Sequence, residues 1–467
     1  MPEDDVYEVL SFGINANTGR PIPVPAVDVV ADMARGSVPG ETAKRRRTLD
    51  MKYGAVAVDT VDQDDLAAMG WAIIFAEVDT RADAIEQALQ PLIKHRTDQA
   101  GPLCKVLKGS EGYQPGLDAI TWLGKRKLGL DIVDPEKGLP FYVVLIGDPS
   151  LIPMEFQYRL DIFWAVGRLD FPDVEDYARY AKSVVAHEEA KTKGNGRIGL
   201  FAPRHDFDPA TQLFHKVVVS SLKSKKLPSG FAWRDLLATD ATKEAYETLI
   251  SGDDDAGTPQ LIFTGGHGME FAIDDPRQPT TQGALVCQDW GGYGAIDKDE
   301  WFAASDMPAA AQLAGTIHLI FACYGGGCSK IDTFREKDGT AFQISDADRT
   351  AALPRALLLH ENGGALAVIA HVDRAFACSF SLNSGAPQTQ GLQDVLWSLM
   401  RNHRAGNALD RFNARWGATA TVLSDALANP IGQPEQNDRL YQLWLARDDA
   451  RNYVLLGDPA VRLNEDG

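Results

Sequence analysis

The chain has few cysteines, five in 467 residues, and they are Cys104, Cys287, Cys323, Cys328 and Cys378. A sparse, odd set is not a disulfide framework. No pair has zinc-finger spacing, and Cys323 and Cys328 lack a histidine at ligand spacing, so no metal is expected. No uncharged apolar run approaches the ~20 residues that cross a bilayer, and no membrane partner is expected. The N-terminus, MPEDDVYEVL, has no positive segment followed by an apolar one, and a cytoplasmic setting is the expectation. Basic residues are outnumbered, 46 Lys and Arg against 65 Asp and Glu, for a net charge of -19. That balance argues against nucleic acid, whose phosphates need clustered cations. The one basic run, Lys44 to Arg47, reads as a solvated loop.

What is present is a set of short, mostly apolar runs separated by helical stretches. Phe141–Ile146, Ile198–Ala202, Gln260–Thr264, Thr316–Ala322 and Ala365–Ala370 read as strands buried on both faces. Helices are expected over Pro172–Lys193, Pro209–Lys226 and Ala351–Glu361, the last stopped by Gly363-Gly364. The alternation implies an α/β fold with a mostly parallel sheet covered on both faces. Residues 1–138, with a strand near Gly70–Val78 and a helix over Thr80–His95, read as a separate N-terminal α/β region of unknown role. The chemistry is expected in residues 139–467.

Parallel sheets carry their sites beyond the carboxyl ends of the strands. Two strands here run into glycine-rich loops. One ends in Thr264-Gly265-Gly266-His267-Gly268, the other in Ala322-Cys323-Tyr324-Gly325-Gly326-Gly327-Cys328. If the strands are neighbours, His267 and Cys323 share a rim. A thiol beside an imidazole is the pair that acyl transfer from a peptide needs: the imidazole promotes the thiolate and then protonates the leaving amine. The N–H groups of Gly268 and Cys323 are the expected oxyanion donors. A buried Cys alone is usually a small hydrophobe and a lone His a satisfied polar group. Their joint placement is what points to catalysis.

Several stretches together resemble the gingipain family of cysteine peptidases and, more distantly, the CHAT peptidases and caspases. They are Tyr142–Pro153 (YVVLIGDPSLIP), Ala165–Leu169 (AVGRL), Thr264–Glu270 (TGGHGME) and Phe321–Gly325 (FACYG), supported by Gly364–Ala370 and Leu455–Leu463. The 56 residues from His267 to Cys323 are close to the roughly 50 of caspases, whose A-C-x-G pattern Ala322–Gly325 matches. The resemblance implies a caspase-like α/β/α sandwich, a Cys323–His267 dyad that needs no cofactor, and a protein or peptide substrate. Where that family has an acid just before the G-R element, this chain has Phe163, with Asp161 two residues earlier.

Asp373, Phe376 and Glu270 are candidate substrate-binding residues. An acid at the pocket floor would select Arg or Lys; alternatively, Asp373 pairs with Arg374 or faces solvent. Cys328 reads as structural, and His318 as a core or paired histidine. The polar stretch Ser329–Thr350 is a candidate self-processing loop. The resulting expectation is an endopeptidase with a regulatory role, in a setting such as bacterial defence, and with room for a regulatory protein partner. A catalytically silent caspase-like scaffold is the alternative, and an amidase with the same dyad is a third.

Overall fold

The fold comes from a computed structural model that describes residues 9–35, 62–129, 133–191, 193–252, 257–335, 340–381, 387–428 and 433–464. Lys44 to Arg47 lie outside the described residues.

The strands in chain order are β1 (Gly13–Asn15), β2 (Trp71–Phe75), β3 (Cys104–Leu107), β4 (Tyr142–Ile146), β5 (Ala165–Leu169), β6 (Arg197–Ala202), β7 (Ala232–Leu237), β8 (Leu261–Gly265) and β9 (Gly268–Glu270). They continue with β10 (Leu285–Val286), β11 (Trp301–Phe302), β12 (Ile317–Phe321), β13 (Gly327–Cys328), β14 (Ile331–Arg335), β15 (Ala341–Gln343), β16 (Arg349–Thr350), β17 (Ala367–His371) and β18 (Tyr453–Gly457). Ten of them form one sheet in the order β3-β2-β4-β5-β18-β17-β12-β8-β6-β7. The five from β3 to β18 run parallel to one another, as do the five from β17 to β7. The halves meet antiparallel at β17–β18. The fold is therefore the mostly parallel α/β sheet with flanking helices that is expected of a caspase-like domain.

β4, β8, β12 and β17 are buried at every position. Helices cover such strands on both sides, so no polar face is left to alternate with an apolar one. The helix expected over Pro209–Lys226 is interrupted. It runs Pro209–Phe214, widens into a π turn at His215–Val219 and resumes at Ser220–Ser224.

Strands from both sides of residues 138 and 139 lie in this one sheet, since β2 pairs with both β3 and β4. A buried charge network ties the early part of the chain to the rest. Arg96, fully buried, donates Nε to Asp458 Oδ2 at 2.8 Å and both terminal nitrogens to Glu188 at 2.6 Å. Trp71 Nε1 donates to Asp458 Oδ1 at 3.0 Å. Burial alone would raise the Glu188 pKa, but the charges and hydrogen bonds of Arg96 and His95 hold it well below the usual carboxylate range.

Removing one partner of such a network strands the others without compensation. We expect Arg96→Met to lower the unfolding free energy by about 3–5 kcal/mol, read by urea denaturation. A loss under about 1 kcal/mol would mean that the network is not what joins these segments.

Candidate active site

Four neighbouring strands of one half-sheet deliver the site from their carboxyl ends. β8 and β12 pair in register from Leu261↔Ile317 to Gly265↔Phe321, so the loops after them leave the sheet side by side. The first carries His267, the second Cys323. β17 leads to Ala375 from the other side of β12, and β6 leads to Asp208 from the other side of β8. Gly268 is required by close approach: a Cβ there would lie 1.9 Å from the carbonyl oxygen of Cys323.

His267 is buried, and its Nε2 meets Asp208 Oδ2 at 2.9 Å. A carboxylate at Nε2 selects the tautomer protonated there and leaves the Nδ1 lone pair as the basic site. Among the described residues Nδ1 has no hydrogen-bond partner. Asp208 also caps the helix Pro209–Phe214, accepting from the Thr211 N–H at 2.8 Å. Burial would raise its pKa, but the His267 charge and hydrogen bond, with Thr211, hold it well below the usual range. His205 stands near the pair; burial first, then repulsion from His267, lowers its pKa to about 4.

Cys323 is fully buried. Its Sγ accepts from the Ala375 N–H at 3.2 Å and lies 3.6 Å from Ser11 Oγ. No hydrogen bond joins it to His267. Burial pushes the thiol up to about 12, partly opposed by the Ser11 and Ala375 contacts. The N–H groups of Gly268 and Cys323 converge on one oxygen, the carbonyl of Phe12, at 2.9 Å each.

The other expected residues are placed as follows. Glu270 lies on β9, where its carboxylate accepts from Tyr324 OH at 3.2 Å and Asn15 Nδ2 at 3.5 Å. Phe376 packs on Phe334 and faces Ser11 across a β-bridge. Asp373 neither pairs with Arg374 nor faces solvent. Its two oxygens accept from Ser329 N–H at 2.7 Å and Ser329 Oγ at 2.8 Å. Arg374 pairs with Asp332 instead. Cys328 is a free, buried thiol. His318 is buried against Thr316 Oγ1 and His371 against the Asp449 carbonyl. Within Ser329–Thr350, β14 and β15 form a hairpin, and residues 336–339 lie outside the described residues. Asp161, the acid that precedes the G-R element, accepts from Val166 N–H. Arg168 of that element is buried and holds the Gly147–Ile152 turn through the carbonyls of both end residues at 2.7 Å.

Asp208 was not among the candidates from sequence. Its signal is Asp-Pro-x-Thr, a helix start placed just past the carboxyl end of the strand beside the histidine strand. Among the described residues no group of three or more His, Cys, Asp or Glu side chains is placed to hold a metal.

The ten-stranded, mostly parallel sheet flanked by helices is a caspase-like fold. A model of peptidase family C25 matches residues 73–464. The chain belongs to that family, the gingipain family of cysteine peptidases. Its match begins within β2, well before residue 139. A solved structure described as "Structure of Protease" aligns over 84% of this chain and 78% of its own, at TM-score 0.49 and 12% identity. Among curated proteins no sequence matches.

Burial raises the pKa of Asp373 to about 6. An unfolded Asp titrates near ~3.9. Below that pH both states are protonated and the stability is full. Between about 4 and 6 only the unfolded chain loses its proton, so stability falls as pH rises, by about 3 kcal/mol in all. We expect Asp373→Asn, which keeps the Ser329 contacts without the charge, to flatten the dependence of the urea midpoint on pH across this window. An unchanged slope would contradict the assignment.

Proposed function

We propose that this chain is a cysteine endopeptidase in which Cys323 is the nucleophile and His267 the general base and acid, with Asp208 as the positioning residue for the imidazole. The observation that carries the reading is the convergence of the Gly268 and Cys323 N–H groups on one carbonyl oxygen beside the thiol. That is what an oxyanion site requires: fixed backbone donors aimed at one point in a dry environment. Sγ attacks a peptide carbonyl carbon, and the thiol proton passes to His267 Nδ1. The tetrahedral oxyanion is held by the two N–H groups. His267 returns the proton to the departing amine, leaving a thioester on Cys323, and water, activated by the same imidazole, hydrolyses it. A thiol held near 12 by burial stays neutral while covered, so its proton moves as attack begins. Hydrogen bonds of this kind commonly tighten only in the reacting complex.

Asp373 does not support a preference for basic residues, because Ser329 engages its carboxylate. Glu270 is the remaining acid among the candidates, and its pKa is raised by burial. A cytoplasmic, regulatory setting remains part of the proposal, consistent with five free cysteines. One observation favours the scaffold reading: the groove beside Cys323 is filled by residues of the same chain.

We expect Cys323→Ala and His267→Ala each to lower kcat/KM on peptide substrates by at least about 10²–10⁴-fold with the fold retained by circular dichroism. Asp208→Asn should lower kcat, shift its pH profile and leave KM nearly unaltered. A wild type no faster than Cys323→Ala on every peptide would establish the scaffold instead.

A further inference from the structure

The segment Leu10–Gly13 lies across the rim in the way a substrate would. The Phe12 N–H donates to the Ala375 carbonyl at 3.0 Å, and the Ala377 N–H donates to the Leu10 carbonyl at 2.9 Å. Ser11 faces Phe376 in an antiparallel bridge. Residues 10–12 thus add a short antiparallel strand to the chain that follows β17, the mode by which extended peptides dock on an exposed edge. The next oxygen along, that of Phe12, takes both N–H groups of the oxyanion site at 2.9 Å. The peptide bond that follows lies against the thiol: a Cβ on Gly13 would be 2.9 Å from Cys323 Sγ. The residue after the bond has no room for a side chain.

The Phe12 side chain is fully buried in an aromatic pocket. Its ring centroid lies 4.7 Å from that of Phe321, 5.6 Å from Phe380, 5.9 Å from Phe214 and 5.7 Å from His267. The pocket is walled by residues of the nucleophile strand, the chain after β17 and the helix that Asp208 caps. Among the described residues, the ring partners of Phe12 are three phenylalanines and the His267 imidazole.

Beyond the bond the chain is held independently. Gly13–Asn15 runs parallel to β9, and Ile22 N–H returns to the Gly13 carbonyl at 2.9 Å. The helix Val27–Arg35 then packs on the helix Gln433–Arg451. Before the bond, the described hold is the Phe12 ring, the Ser11 contact with the thiol, the backbone bonds of Leu10 and Phe12, and the packing of the half-buried Val9 and Leu10 side chains.

We infer that Phe12–Gly13 is a scissile bond of this enzyme, cut in the same chain, and that the pocket around Phe12 gives the peptidase a preference for an aromatic residue before the cleaved bond. The inference rests on the peptidase reading above. Cys323 Sγ bonds to the Phe12 carbonyl carbon as the bond to Gly13 N breaks. Gly13 leaves as a free amine carrying the proton returned by His267. One water then converts the Phe12 thioester to a carboxylic acid and restores the thiol. The segment ending at Phe12 departs and uncovers the groove, while Gly13 onward keeps its own attachments.

The test combines two readouts on the full chain. The first is intact mass and N-terminal sequencing of wild type, Cys323→Ala and Phe12→Ala during incubation. The second is release of a fluorophore from Val-Leu-Ser-Phe linked to aminomethylcoumarin, and from the same peptide ending in Arg, Lys or Asp. Wild type should lose Met1–Phe12 and begin at Gly13, while Cys323→Ala stays intact. Phe12→Ala should be cut about 10–100-fold more slowly, the range set by losing one buried aromatic ring, and the Phe peptide should exceed the other three by a similar factor. A wild type that remains intact at Phe12–Gly13, or that is faster on Arg, Lys or Asp, overturns the inference. If such a wild type still hydrolyses peptides through Cys323, the peptidase reading stands; if it hydrolyses none, that reading falls too.

Discussion

The contact on which this site depends is backbone against backbone. Gly268 lies so close over Cys323 that any side chain at 268 would meet the Cys323 carbonyl. That approach brings two N–H groups to one point, and point-directed donors are what a developing oxyanion needs. It is possible only because β8 and β12 are adjacent, parallel and in register to their last residues. Gly266 N–H closes the same junction on the Phe321 carbonyl at 3.1 Å. A slip of one residue would turn each side chain of these strands to the other face.

The half-sheet then supplies the remaining groups by the same geometry. β6 and β17 flank the central pair, and the segments leaving their carboxyl ends bring Asp208 and Ala375 from opposite sides. Electrostatics follow from burial. Asp208 stays charged because His267 and a helix N-terminus compensate it. The thiol has no such cation in hydrogen-bond contact, and burial keeps it neutral. Asp373, hydrogen-bonded to Ser329 and buried, is pushed toward its neutral form. Two buried acids at one rim thus take opposite protonation tendencies from their partners.

The strands that deliver the site were legible because a strand buried on both faces must be mostly apolar, as Leu200, Phe263, Leu319 and Ile369 are. Glycine beside His267 and after Cys323 marked the loops. Asp208 was obscure because its partner lies 59 residues away and its local pattern is that of any helix cap. The role of Asp373 was misleading because a carboxylate after a strand reads the same whether it faces a pocket or a serine N–H. The unity of the sheet was hidden by the long stretch between Leu107 and Tyr142, which holds a helix (Ala119–Lys125) but no strand among the described residues, while β2 pairs across it. The placement of Phe12 had no local signature, since main-chain pairing of residues 10–12 depends on an edge over 360 residues further on.

The central claim is that Cys323 is an activated nucleophile within this constellation. Its most direct measurement is residue-level mass spectrometry after reaction with a peptidyl acyloxymethyl ketone, which alkylates a thiol only when a catalytic site binds the peptide and activates the sulfur. The account predicts one adduct, on Cys323, abolished by His267→Ala and absent from the other four cysteines. Labelling of Cys104 or Cys328 in its place, or equal labelling of Cys323 with and without His267, would contradict it.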